Sequence, residues 1–289
     1  MTRVEILSTS LGEVEIARID AAGPPVLFFP GGHCSAISDC GWELYTGLGH
    51  SVVSFSRPGY GGTRVGDLSG AEFVPAVEEV CDALALDEIA AVVGVSFGAL
   101  QAVPTAMSGR IDVRRLVLHS GAPSTLAYPD TRAQRLAGPV VFGPRVQQVT
   151  WAAISRLVGT EIGLRALCAS LSMLPAGRWW RSWSQQDREL ARKMFRTMAS
   201  GRGFANDLRQ ARADSSRYRR RLLQRVGCPT LITGSRHDGG VAFAHAEDFA
   251  ATIPGARLVE LDSPTHLFWI GPHADAARRT VQTFLTETE

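Results

Sequence analysis

Two opening stretches, Val4–Ser8 and Val14–Ile19, alternate apolar and polar residues, with Gly12 between them. A period of two broken by a glycine predicts an edge hairpin. Four compact apolar runs follow: Val26–Phe29, Val52–Phe55, Ala91–Val95 and Leu116–His119. Each is short, nearly continuous, and partly β-branched or aromatic, as in parallel strands buried on both faces. Within Ala71–Leu86 the period changes, with Phe73, Val77, Val80 and Leu84 at helical spacing. From Gly121 the stretch 121–226 carries helical patterns without a convincing strand. Strand-like runs resume at Thr230–Thr233 and Leu258–Leu261, separated by a helical Ala244–Ala251, and a helix over Ala274–Thr286 closes the chain. This alternation predicts an α/β protein with a mostly parallel central sheet and helices on both faces. Its core is formed by 1–120 and 227–289, split by a helical insertion over 121–226.

Composition narrows the class. The chain has 289 residues, 45% hydrophobic and 20% charged, which excludes disordered and collagen-like proteins. The 30 basic and 28 acidic residues nearly balance, so no nucleic-acid partner is expected. Arg3 and Glu5 interrupt the N-terminal apolar pattern, and no apolar stretch is long enough for a membrane span. A soluble, cytoplasmic protein with no membrane partner is the expectation. The 5 cysteines are odd in number and form no C-x-x-C pair, which points to free thiols and against a structural zinc site. Charge is uneven along the chain. The stretch 121–226 holds 19 basic and 6 acidic residues, and the remainder 11 and 22. Solvated arginine faces on amphipathic helices are the default explanation. A lid that attracts anionic substrates or an acidic partner is the alternative.

The candidate chemistry begins at Gly94-Val95-Ser96-Phe97-Gly98. This G-x-S-x-G directly follows a buried-strand pattern and precedes a helical run, Ala99–Met107. A strand turning sharply into a helix strains the serine backbone and projects its hydroxyl from the carboxyl edge of the sheet, and the flanking glycines leave room for the turn. On this motif and its context the chain resembles the α/β-hydrolase superfamily, in particular its serine hydrolases with a helical cap, over essentially its whole length.

A serine hydroxyl needs a base to take its proton. The resemblance implies the order serine, acid, histidine. Of 7 histidines, His266 lies in the loop after the last strand pattern, where the family's base occurs. Asp238 lies in a Gly-flanked turn after Thr230–Thr233 and is the expected acid, while Asp262 and Glu260 sit too near His266 along the chain. Acyl transfer also needs oxyanion donors. The Phe97 amide is one. The other is expected from Pro30-Gly31-Gly32-His33, which is similar to the family's His-Gly-Gly loop with Pro30 in place of histidine. The Gly32 amide is favoured, with His33 as runner-up. The loop Arg57-Pro58-Gly59-Tyr60-Gly61 also resembles a family loop and is read as structural, shaping the pocket floor. Trp151, Trp179, Trp180, Trp183 and Phe195 are either pocket walls or the core of the insertion.

The resemblance implies a serine hydrolase cleaving a small-molecule ester or related acyl bond, with no cofactor and no metal. Epoxide hydrolases and dehalogenases of this fold use aspartate where Ser96 stands. C–C bond hydrolysis, thioester hydrolysis and acyl transfer remain open on the same residues, as does a non-catalytic ligand-binding protein. Oligomeric state is not legible.

Overall fold

A computed structural model of the chain describes residues 2–130, 142–143 and 146–287. Its centre is an eight-stranded sheet. The strands are β1 (Thr2–Thr9), β2 (Gly12–Ile19), β3 (Gly23–Phe29), β4 (His50–Phe55), β5 (Ala91–Val95), β6 (Leu116–His119), β7 (Thr230–Gly234) and β8 (Arg257–Glu260). Their order is β1-β2-β4-β3-β5-β6-β7-β8. The β1–β2 hairpin is antiparallel and joins β4 antiparallel, and every later pairing is parallel. The expected edge hairpin and parallel core are both present.

Side-chain alternation along the strands builds a core on each face of the sheet. Leu27, Phe29, Val92, Leu116, Leu118 and Ile232 point to one side. There they meet α1 (Gly70–Ala83), α2 (Ala99–Thr105) and, through Phe249, the later helix Phe243–Thr252. Val26, Phe28, Val93, Val95, Val117 and Leu231 point to the other side and meet Ala277, Val281 and Phe284 of the last helix, Ala274–Thr286. Helix α1 begins where the sequence turns from Gly/Asp-rich to apolar. Ser69 caps it, its side chain accepting from the Glu72 amide while the Glu72 carboxylate accepts from the Ser69 amide.

Between β6 and β7 the described residues form α3 (Gln147–Leu157), α4 (Glu161–Ala169), α5 (Gln185–Thr197), α6 (Gly203–Gln210) and α7 (Ser216–Leu223), with no strand among them. Part of the expected insertion, 131–141 and 144–145, lies outside the described residues. Trp179, Trp180 and Trp183 cluster edge-on or tilted with ring centroids 5.2–5.9 Å apart and bury against Leu164, Met194 and Phe195. These three tryptophans form a core of their own. Leu223 and Val226, by contrast, pack into the core against the sheet, so α7 belongs with the central layers.

The arginine excess also has a structural component. Arg219 is 5% exposed, and its guanidinium donates to the carbonyls of Ser124, Gln210, Arg212 and Leu126. It ties α7 to the chain leaving β6. All 5 cysteines are free thiols. Among the described residues no helix is long and apolar enough to cross a membrane.

Candidate active site

Ser96 stands where β5 gives way to a single 3-10 turn, Ser96–Gly98, that runs into α2. Its φ is +52°, in the left-handed region that costs a non-glycine residue about 1 kcal/mol. The neighbouring glycines explain how the turn closes. A Cβ on Gly98 would collide with the Phe29 carbonyl, and one on Gly94 would lie 2.7 Å from Ala102 Cβ. Strand and helix meet too closely for any side chain at either position.

His266 and Asp238 come from separate loops, after β8 and β7. His266 Nδ1 lies 2.7 Å from Asp238 Oδ2. The other carboxylate oxygen, Oδ1, accepts from the amides of Gly240 (2.7 Å) and Val241 (2.9 Å). The carboxylate is thus fixed at both ends. Gly240 has to be small, because a Cβ there would sit 2.9 Å from His266 Cγ. Both loops are stitched to the turn after α4. The Leu171 carbonyl accepts from the amides of His266 and Gly239, and the His237 carbonyl accepts from the Met173 amide. Burial pushes the His266 pKa down, but the Asp238 charge and hydrogen bond outweigh it, and the net shift is upward from 6.5. With Nδ1 on the carboxylate, Nε2 is the nitrogen left for a serine. Ser96 and His266 line one cavity, though among the described residues no hydrogen bond joins them. Such bonds are often long without substrate and tighten in the reacting complex.

The loop Pro30–His33 passes directly over Ser96. A Cβ on Gly31 would lie 3.2 Å from Ser96 Cβ, and one on Gly32 would lie 2.8 Å from the Phe97 ring. Among the described residues no loop or turn hydrogen bond engages the amides of Gly32 or Phe97. The His33 amide faces the Tyr60 hydroxyl.

The loop's position is held from below. Arg57 is 3% exposed and donates to the carbonyls of Pro30 and Gly31, each at 3.0 Å. The same guanidinium forms a two-pronged ion pair with Asp207 of α6, and the Tyr60 hydroxyl donates to that carboxylate at 2.6 Å. Burial opposes the charge on Arg57, but the Asp207 carboxylate overcomes it and keeps the guanidinium protonated. Removing one partner of such a pair strands the other charge in the interior. Asp207→Ala is therefore expected to cost about 3–5 kcal/mol, read from urea unfolding midpoints. The double variant Arg57→Met/Asp207→Leu should cost clearly less than Asp207→Ala. A loss under 1 kcal/mol (roughly that of an exposed pair) would contradict this role.

The chain also resembles known proteins as a whole. Residues 26–283 match the model of the alpha/beta hydrolase family. An uncharacterised hydrolase of Bacillus subtilis (strain 168), YcgS, is 32% identical over 276 residues, covering 94% of each chain. An alpha/beta hydrolase fold protein from Nakamurella multipartita superposes with a TM-score of 0.75 at 26% identity, covering 98% of this chain and 99% of that one. A thermophilic esterase from Thermogutta terrifontis superposes at 0.67 with 20% identity, covering 98% of each.

This chain belongs to the alpha/beta hydrolase family. In this alpha/beta hydrolase, Ser96 opens onto a cavity of about 400 Å³. Its walls are mostly apolar, with Phe97, Tyr128, Phe142, Trp151, Phe195 and Trp269 prominent. Among the described lining residues none is Arg, Lys, Asp or Glu. Of the aromatic residues singled out in the sequence, Trp151 and Phe195 line the cavity, and Trp179, Trp180 and Trp183 do not. Phe142, Phe204 and Trp269 carried no signal in the sequence beyond being aromatic.

The hydrolase also contains a decoy. Ser124 Oγ lies 2.9 Å from His245 Nδ1, and His245 Nε2 lies 3.0 Å from Asp130. The nitrogens are used in the opposite sense to those of His266, since here the serine is on Nδ1 and the carboxylate on Nε2. Ser124 and His245 are fully buried, and the Ser124 amide also donates to Nδ1 at 3.2 Å. The cluster braces the chain after β6 against the helix Phe243–Thr252, with its serine and histidine closed off from solvent.

Proposed function

We propose that this alpha/beta hydrolase cleaves uncharged small-molecule carboxylic esters with an apolar acyl or alcohol group, through Ser96, His266 and Asp238. Ser96 attacks the acyl carbon while His266 takes its proton, and Asp238 holds the ring's tautomer and stabilises the imidazolium. The oxyanion is received by the amides of Phe97 and Gly32. His266 then protonates the leaving alcohol and later activates water against the acyl-enzyme. No cofactor enters this scheme.

The single observation that carries the reading is the fixed Asp238–His266 pair (2.7 Å), whose histidine lines the same cavity as a serine at φ +52°. Non-glycine strain of this kind persists only where surrounding structure enforces it. Among the described residues the cavity lining carries no Arg, Lys, Asp or Glu, which favours neutral esters over the thioesters of anionic carriers, because a buried anion without a cation is strongly disfavoured. The basic excess of 121–226 does not reach the cavity lining among the described residues.

A fluorophosphonate probe tests the mechanism, because it phosphonylates only an activated serine. One adduct per chain is expected, mapping to the peptide that contains Ser96. Folded protein that stays unlabelled, or that labels at another serine, would refute the proposal.

A further inference from the structure

The geometry points to His33 as a hydrogen-bond donor inside the cavity, one that selects substrates carrying a second, uncharged oxygen acceptor. This deepens the ester hydrolase reading and rests on it. His33 follows the oxyanion loop at φ +63°. Its carbonyl accepts from the Ala199 amide at 2.7 Å, and its ring packs against Phe204, Phe142 and Trp151 at centroid distances of 4.0, 4.5 and 5.1 Å. The imidazole is therefore held rigidly.

Hydrogen-bond logic assigns its proton. The Trp151 indole N–H can only donate, and it donates to Ser200 Oγ at 2.8 Å. Ser200 is fully buried, and His33 Nδ1 lies 2.9 Å from the same oxygen. Among the described residues the serine hydrogen has no other acceptor, so it goes to Nδ1. The ring proton is then on Nε2. Burial, with a smaller contribution from the Arg57 charge, lowers the His33 pKa to about 3, so the ring is neutral at ordinary pH. Nε2 has no protein partner among the described residues, is not sealed from contact, and belongs to a ring that lines the cavity.

Nearby polar side chains are already engaged. Tyr128 donates to the Gly240 carbonyl and Ser170 to the Leu167 carbonyl. A fixed donor in an apolar cavity discriminates by what it loses when no acceptor arrives. Its neutrality suits a ketone, ether or hydroxyl oxygen and not a carboxylate.

The test uses paired 4-nitrophenyl esters of one chain length, hexanoate against 4-oxohexanoate and 5-oxohexanoate. Wild type is expected to favour one oxo ester about tenfold in kcat/KM. In His33→Phe that ratio should fall to within about twofold of unity. Ser200→Ala keeps the ring but removes the group that fixes its tautomer, and should also shrink the ratio. Comparing ratios between proteins cancels the intrinsic reactivity of each ester. If His33→Phe does not fold, His33→Gly, which suits left-handed backbone and carries no side-chain donor, takes its place. An unchanged ratio in folded variants overturns the assignment, as does a wild type that shows no oxo preference. If wild type hydrolyses none of these esters, the hydrolase reading fails separately. The donor is then read from binding of 4-phenyl-2-butanone and butylbenzene to Ser96→Ala, followed by tryptophan fluorescence. An advantage of the ketone over the hydrocarbon that vanishes when His33→Phe is added supports it, and equal advantages with and without His33 overturn it.

Discussion

Ser96→Ala is expected to lower kcat/KM on 4-nitrophenyl esters by on the order of 10⁴- to 10⁶-fold, as for loss of a triad nucleophile. The substitution removes one hydroxyl and little else. Alanine keeps the Cβ that passes the Gly31 loop at close range, so the turn and the cavity should survive. The loss should fall almost entirely on kcat, because the nucleophile bonds to the substrate only on the way to the transition state. Some acceleration over water should remain from the Phe97 and Gly32 amides. Ser96→Gly separates chemistry from strain. It should be equally inactive, yet more stable than Ser96→Ala by about 1 kcal/mol, since glycine relieves the left-handed backbone. Turnover of Ser96→Ala within tenfold of wild type would remove Ser96 from the mechanism.

How much of this was legible in the sequence follows from where each constraint is written. The Ser96 turn was visible because its steric demands fall on adjacent positions. Gly94 and Gly98 are needed where strand and helix collide, and they flank the serine in sequence. His266 and Asp238 were legible through loop position and chain order, and the structure brings them to 2.7 Å across 28 positions. The cavity was not legible. Phe142, Leu171, Phe204 and Trp269 reach it from four segments with no local mark distinguishing a lining side chain from a core one. The Arg57–Asp207 pair spans 150 positions. In sequence, Asp207 is one more polar residue on an amphipathic helix, and the Arg57 loop gave only a floor-shaping role. The link that runs from α6 through Arg57 to the Pro30 and Gly31 carbonyls emerges only on folding. The charge of 121–226 was readable as a number but not as a function. Arg219 uses its charge to gather carbonyls inside the protein.

Asp238→Asn should reduce kcat by about 10⁴-fold with the cavity intact, and the reason lies in the two amides behind the carboxylate. The N–H groups of Gly240 and Val241 both point at Oδ1. An asparagine there must offer them its carbonyl oxygen, which turns its NH₂ toward His266 Nδ1. That nitrogen must then accept, the ring proton moves to Nε2, and the imidazole presents a donor to Ser96 where a base is needed. The pH profile should move as well. In wild type the base works when neutral, so kcat/KM should rise through a pKa above the ordinary 6.5 of imidazole. Without the carboxylate only burial remains, which disfavours imidazolium, and the residual limb should shift to lower pH. Stability follows the opposite course. Since folding raises the His266 pKa, its pairing with Asp238 stabilises the protein fully below about 6.5. That contribution fades as pH rises through the folded value. The difference in thermal unfolding between wild type and Asp238→Asn should thus be larger at acid pH than at alkaline pH. A variant with wild-type kcat, or a limb that stays in place, would show that Asp238 does not set the state of His266.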